Sequence, residues 1–318
     1  MDSDRTGGLA ARLQVAPEVA DALARGRPVV ALESTLISHG FAYPAGRDVA
    51  LGSQAAVRER GAVPATVAIR DGRLRVGLSD AEIEELATAA DVLKASRSTL
   101  AAALVRPGWA STTVSATMLA AHAAGIRVFA TGGIGGVHRG ALVDPATGGA
   151  GSFDVSADLD ELARTPVAVV CAGPKLILDV ARTIEALETR GVPVVTLGSD
   201  RVPGFWARDS GVASPLAVER VAEAASVAAA HLAMGLGGLL ICVPAPESDA
   251  VPRERLEGEI ETAVAEAEAA GIVGARLTPW LLARLAERTS GATVRANVSL
   301  ILNNARVAAE LATLLASR

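Results

Sequence analysis

The sequence predicts an α/β fold, a layered α/β/α architecture with a central, mostly parallel sheet plus a hairpin. Three observations predict it. Short β-branched runs alternate with longer alanine-rich stretches. The strand candidates are apolar almost throughout, as in a parallel sheet covered on both faces. Asp71-Gly72, between two such runs, is the residue pair that two-residue hairpin turns favour. Half of the 318 residues are hydrophobic but only 3% are aromatic, so the core must be packed from Ala, Val, Leu and Ile. A chain of this length can bury a sizeable core.

Strands are expected at 28–33 (PVVALE), 66–69 (TVAI), 73–78 (RLRVGL), 126–131 (IRVFAT), 167–172 (VAVVCA), 193–197 (PVVTL) and 239–243 (LLICV), each a short apolar run bounded by Gly, Pro or charge. Helices are expected near 46–60, 80–90, 114–124, 175–190, 215–234, 255–270, 277–288 and 296–316, the longer alanine-rich stretches between the strands. No internal repeat or long low-complexity linker divides the chain. Residues 1–14 are expected to form a flexible N-terminus and 15–318 a single domain. Residues 141–152, ALVDPATGGAGS, are the one stretch dense in Gly, Pro and small side chains, which suits a surface loop or lid.

Composition excludes several functions. A net charge of -5 with both signs interspersed offers no basic stripe for nucleic acid. Cys171 and Cys242 lie far apart in apolar runs without metal-ligand spacing, so neither a disulfide framework nor a zinc site is supported. No stretch approaches about 18 uninterrupted apolar residues, and MDSDRTGGLAARLQ has no apolar signal core. A reducing, cytoplasmic location is expected, without a membrane.

Of thirty basic residues only Lys94 and Lys175 are lysines. Arginine supplies charge and carboxylate forks but cannot act as an amine nucleophile, so a chain biased towards arginine keeps lysine where chemistry is wanted. Lys175 follows a strand and a Gly-Pro turn, and proline at a helix's first position would place it in the first helical turn. The helix dipole there would destabilise the ammonium and favour a nucleophilic amine. Glu33 ends the first strand at a carboxyl end, where open α/β sheets bind ligands, and Ser34, Thr35, Ser38 and His39 follow it. Lys94, with Ser96, Arg97 and Ser98 close behind, makes either an anion cradle or a loop whose Ser98 only caps the next helix. Gly132, Gly133, Gly135 and Gly136 lack dinucleotide-fingerprint spacing and serve either close backbone approach to a ligand or a tight turn. His138 and Arg139 follow that run. In FDVSADLDEL, Asp154, Ser156 and Asp158 share one face of an extended segment and could ligate a hard cation. Capping explains Ser156 and Asp158 better, which leaves Asp154 as the metal candidate.

The motifs ALESTLISHGFAYP, GAVPATVAIRDGRLRVGL, TTVSATMLAAHAAGIRVFATGGIGGVHRG, FDVSADLDELARTPVAVVCAGPKLILD, LETRGVPVV and ANVSLILNNARVAAELA together resemble the pseudouridine-5'-phosphate glycosidase family, also called indigoidine synthase A-like. The resemblance runs from about residue 15 to the C-terminus. It implies a Mn²⁺-dependent homotrimer that reversibly breaks the C–C bond between uracil and ribose 5-phosphate. It implies Lys175 as the nucleophile that forms a Schiff base with ring-opened sugar, Glu33 as proton donor and Asp154 as metal ligand. Lys94, Val114, Ser156, Ala157 and Asp158 match substrate-contacting positions, His138 is expected to face the site, and Asn297 falls where the family has an asparagine near the base. Three motifs depart from the family. Ser98-Thr99 stands where K-x-S-R-R-D-L has Arg-Asp, Gly173-Pro174-Lys175-Leu176 differs from G-A-K-S, and Cys242 to Glu247 reads CVPAPE in place of A-N-P-I-P-E. The segment between His138 and Asp154 also carries extra residues. These differences around intact reactive positions support an alternative, a C-glycosynthase of secondary metabolism that joins ribose 5-phosphate to a non-uracil acceptor.

Overall fold

The computed structural model describes residues 8–139, 141, 154–272 and 277–317. Its strands are β1 (Leu13–Val15), β2 (Val29–Leu32), β3 (Val63–Arg70), β4 (Arg73–Val76), β5 (Leu93–Ala95), β6 (Trp109–Thr112), β7 (Val128–Ala130), β8 (Val137–His138), β9 (Ala168–Cys171), β10 (Leu178–Asp179), β11 (Val194–Leu197), β12 (Leu216–Val218) and β13 (Leu239–Cys242). Its helices are α1 (Pro17–Ala24), α2 (Ala45–Glu59), α3 (Asp80–Thr88), α4 (Leu100–Ala103), α5 (Val114–Ala123), α6 (Ala157–Arg164), α7 (Val180–Thr189), α8 (Val221–Ala233), α9 (Arg253–Ala269), α10 (Leu277–Arg288) and α11 (Ala292–Ala316). A π-helical turn, Leu36–Gly40, follows β2.

Eleven strands form one sheet in the order β1-β4-β3-β2-β7-β9-β13-β11-β12, and β6 joins β3 to β5. The central run from β2 to β12 is parallel throughout. Only the β3–β4 and β3–β6 pairings within this sheet are antiparallel. Asp71 and Gly72 turn the β3–β4 hairpin with φ of 48° and 75°, the two left-handed positions that this turn requires. Leu13 and Gln14, which the sequence assigns to the flexible N-terminus, pair with Leu74 and Arg75.

Strand residues alternate between two apolar layers. Val30, Leu32, Ala130, Val170 and Ile241 pack against α2, α8 and α11, while Val29, Ala31, Phe129, Val169 and Leu240 pack against α5, α6 and α7. Burying each such Val, Leu, Ile or Phe contributes roughly 1.5–3 kcal/mol. The 25-residue helix α11 is long and apolar enough to cross a membrane by length and composition, and half of its apolar window is buried in the fold.

Two expected helices differ from the observed ones. The stretch 215–234 divides into strand β12, which completes the sheet edge beside β11, and helix α8, because backbone pairing at an open edge outweighs the helical preference of Leu216 and Ala217. The helix expected at 175–190 begins only at Val180, where Asp179 caps it by accepting from the Arg182 N–H at 3.0 Å. The loop expected at 141–152 lies outside the described residues except for Ala141, which is buried.

Candidate active site

A cavity of about 540 Å³ opens at the carboxyl ends of the parallel strands, and Glu33, Lys94, Val114, His138, Asp154, Ser156, Ala157, Asp158 and Lys175 all line it. They come from six separate segments. Strand order brings them together, because β2, β7 and β9 are adjacent and each ends at this face.

Lys175 does not stand in a helical first turn. Its backbone lies against the glycine-rich segment, where Pro174 bridges Ile134 and β10 pairs with β8, so that segment rather than a helix satisfies the local peptide groups. The helix-dipole argument therefore fails for Lys175. Its Nζ donates to the carbonyl of Gly133 at 2.9 Å and lies 5.8 Å from the centre of the Phe205 ring. Gly173 makes the approach to Lys175 with φ +83°, and a Cβ there would sit 2.2 Å from the Pro203 carbonyl oxygen, so no other residue fits.

Glu33 reaches the cavity surface, yet protein surrounds its carboxyl closely enough that desolvation raises its pKa above the ordinary carboxylate value, with Asp158 adding to the rise. The Thr131 hydroxyl, which donates to Oε1, and the ammonium groups of Lys175 and Lys94 act the other way. Thr131 is itself held from below, since the buried Asn304 amide donates to the Thr131 carbonyl at 2.9 Å.

Lys94 sits in strand β5 rather than a loop, paired with Ser111 of β6. Its side chain opens into the cavity, while surrounding protein desolvates the ammonium and lowers its pKa, Lys175 lowers it further, and Glu33 and Asp158 oppose. Ser96, Ser98, Thr99, Thr113 and Ser115 place hydroxyls on the same wall, and Ser96 and Ser98 lie 3.0 Å apart. Such an arc suits a phosphate or sugar hydroxyls. Arg97 has left this wall to pair with the buried Glu161 on α6, which also accepts from Thr165. Thr99, not Ser98, stands at the cap position of α4, and its side chain makes no cap bond there.

Asp154 to Ser156 runs beside β8, with Val155 bridging Val137, so Asp154 and Ser156 face one way. Ser156 caps α6 by accepting from the Asp158 N–H at 3.2 Å. Asp158 is no cap for its own helix. Its two oxygens accept from Ser115 N–H at 3.1 Å and Gly135 N–H at 2.9 Å, clamping the start of α5 to the glycine-rich segment. A Cβ on Gly135 would meet Ser156 Oγ at 2.4 Å, so that glycine serves close approach between protein segments. His138 Nδ1 lies 3.7 Å from Asp154 Oδ2. Burial holds its imidazole pKa below the ordinary value, Lys175 acts the same way and Asp154 opposes. Arg139 turns away to donate to the Leu176 carbonyl at 2.9 Å.

Asn297 lies outside this cavity. It lines a neighbouring one of about 570 Å³ with His39, Phe41, Trp206 and Leu282, and its Oδ1 and the Trp206 Nε1 are buried with no hydrogen-bond partner among the described residues. At the start of α10 the successive residues Thr278 and Pro279 line one cavity each. Sequence reasoning missed Thr131, which ends strand 126–131 as Glu33 ends its own and was findable on that ground. Phe205 and Glu161 carried no local signal.

The donor chemistry fits a hard divalent ion of the Mn²⁺ or Mg²⁺ kind. No group of three His, Cys, Asp or Glu side chains that could hold a metal exists among the described residues, which rules out a closed cage built from them. A single carboxylate, Asp154, beside an open polar cavity is the kind of site where such an ion keeps most of its waters.

The family described as indigoidine synthase A like protein matches residues 18–314. This chain belongs to that family. Relatives named pseudouridine-5'-phosphate glycosidase are 52% identical in Methylobacterium nodulans, over 95% of this chain and 88% of the relative, and 52% identical in Solibacter usitatus, over 95% and 98%. The crystal structure of the prealnumycin C-glycosynthase AlnA in complex with ribulose 5-phosphate matches with a TM-score of 0.87 and 40% identity, covering 96% of this chain and 97% of that one. An indigoidine synthase A-like protein from Thermotoga maritima matches with a TM-score of 0.83 and 31% identity, covering 96% of both chains. The family member described here thus shares the mostly parallel mixed sheet with helices on both sides.

Proposed function

We propose that this family member is an enzyme that cleaves, and reversibly forms, the C–C glycosidic bond between uracil and ribose 5-phosphate in pseudouridine 5'-phosphate. The observation that carries this reading is the convergence of an amine, Lys175, and a carboxyl, Glu33, in one polar cavity, on a chain about half identical to glycosidases of that name over nearly its whole length.

A carbon leaving group cannot depart by simple protonation of a heteroatom, so the bond needs an electron donor at the sugar carbon that stabilises the positive charge left there. Glu33, kept protonated to higher pH by burial, donates to the ring oxygen as the C1'–O bond opens. The uncharged amine of Lys175 adds to C1'. Its lone pair then forms the iminium as the C1'–C bond breaks, the released pair is taken up by the base carbon, and that carbon is protonated. Water hydrolyses the imine and frees ribose 5-phosphate. The Gly133 carbonyl and the Phe205 ring hold Nζ on the cavity side. Lys94 and the hydroxyl arc from Ser96 to Ser115 receive the phosphorylated end of the sugar, with Val114, His138, Ser156, Ala157 and Asp158 forming the remaining wall. Asp154 would hold a divalent ion, which would supply positive charge towards the phosphate and order water. In this reading the protein is a manganese-dependent homotrimer, and sedimentation equilibrium measures that assembly.

A second reading, a C-glycosynthase acting on another acceptor, is favoured by the apolar cavity beside Asn297 and by the name of the 40% identical structural neighbour. Incubation with pseudouridine 5'-phosphate and Mn²⁺ decides. Release of uracil and ribose 5-phosphate, lost in Lys175→Arg, is expected; absence of release from the native protein overturns the uracil reading.

A further inference from the structure

We propose that the same cavity also isomerises ring-opened ribose 5-phosphate to ribulose 5-phosphate, with Glu33 moving a proton between C2 and C1. The inference rests on the ribosyl reading above, which delivers a free pentose 5-phosphate aldehyde into the cavity at the end of each cleavage.

An opened aldose carries an acidic C–H at C2, next to its carbonyl. Moving that proton requires a carboxylate within reach of C1 and C2 and positive charge beside the carbonyl oxygen. Both are present. Thr131 anchors Oε1 of Glu33, and no hydrogen-bond partner of Oε2 is found among the described residues. Lys94 and Lys175 line the same cavity, and both ammonium groups act electrostatically on Glu33. Glu33 must already reach the bonds at C1 to assist ring opening, and C2 is one bond further.

The step balances without a co-reactant. Glu33 as carboxylate takes the C2 proton as the C2–H bond breaks and the C1 carbonyl becomes an enediolate, whose O1 charge the Lys175 ammonium, the cation placed at C1, stabilises. The C2 hydroxyl proton passes to O1. Glu33 then returns its proton to C1 as the C2 carbonyl forms. The amine of Lys175 is not consumed, because a C1 imine carried through the same shift would end as a stable secondary amine tethered to the sugar. The AlnA complex holds this ketose, so a cavity of this architecture accommodates the proposed product.

The experiment incubates the Mn²⁺-loaded protein with ribose 5-phosphate in D₂O without uracil. The sugars are recovered after chelation of the metal and analysed by NMR. The native protein is expected to form ribulose 5-phosphate with solvent deuterium at C1. Lys175→Arg should keep this activity within about tenfold while losing pseudouridine 5'-phosphate cleavage, and Glu33→Gln should lose it by about a hundredfold or more. Ketose formation no faster than in buffer, from protein that cleaves pseudouridine 5'-phosphate normally, overturns the isomerase inference and leaves the glycosidase reading standing. Undiminished isomerisation by Glu33→Gln also overturns it. A protein that isomerises but does not cleave would instead contradict the glycosidase reading.

Discussion

The pairing of Arg97 with Glu161 ties the wall that carries Lys94 to the helix that carries Asp158, and breaking it tests how that wall is held. Glu161 is wholly buried, while the Arg97 side chain is 37% exposed. Removing Arg97 leaves a buried carboxylate facing only the Thr165 hydroxyl, a fault that costs about 3–5 kcal/mol in buried pairs. Because the arginine is partly solvated, the lower end applies, and Arg97→Met should lose about 3 kcal/mol. Glu161→Gln frees an arginine that can reach water and keeps the neutral contact with Thr165, so it should lose only about 1 kcal/mol. The double variant has no unpaired buried charge and should be more stable than Arg97→Met alone. Urea unfolding midpoints at constant slope read all three. Losses that simply add, making the double variant the least stable, would refute the account.

Thr131→Val removes the hydroxyl that stabilises the Glu33 carboxylate, so the Glu33 pKa should rise further. The alkaline limb of kcat/KM, where the proton donor is lost, should move up by about one pH unit. Asp154→Asn should raise the Mn²⁺ concentration needed for half-maximal activity at least about tenfold with folding unchanged by circular dichroism, since it removes the one carboxylate assigned to the ion. Asn297→Ala should raise the KM for uracil in the synthetic direction by about tenfold and leave that for ribose 5-phosphate within about twofold, because Asn297 lines the neighbouring cavity.

The layering was legible because parallel strands buried on both faces have to be apolar at every position, and those at 28–32 (before Glu33), 167–172 and 239–243 are. Asp71-Gly72 announced its hairpin through the backbone geometry that pair tolerates. The site residues were legible as types placed at strand ends, such as Glu33 after β2, and as the scarcity of lysine. The surroundings of Lys175 were misread because a Gly-Pro-Lys sequence suits a helix start equally well as a strand-like bridge, and only the distant Ile134 and Val137 decide which forms. Arg97 likewise seemed an anion ligand until Glu161, sixty-four residues away, claimed it. Contacts of that separation leave no trace in local spacing.

Borohydride reduction of the protein in the presence of ribose 5-phosphate, followed by peptide mass spectrometry, examines the covalent chemistry directly. The account predicts a reduced pentose phosphate adduct on the peptide that contains Lys175, and none in Lys175→Arg. An adduct confined to Lys94, or native turnover with no trapped peptide, would contradict it.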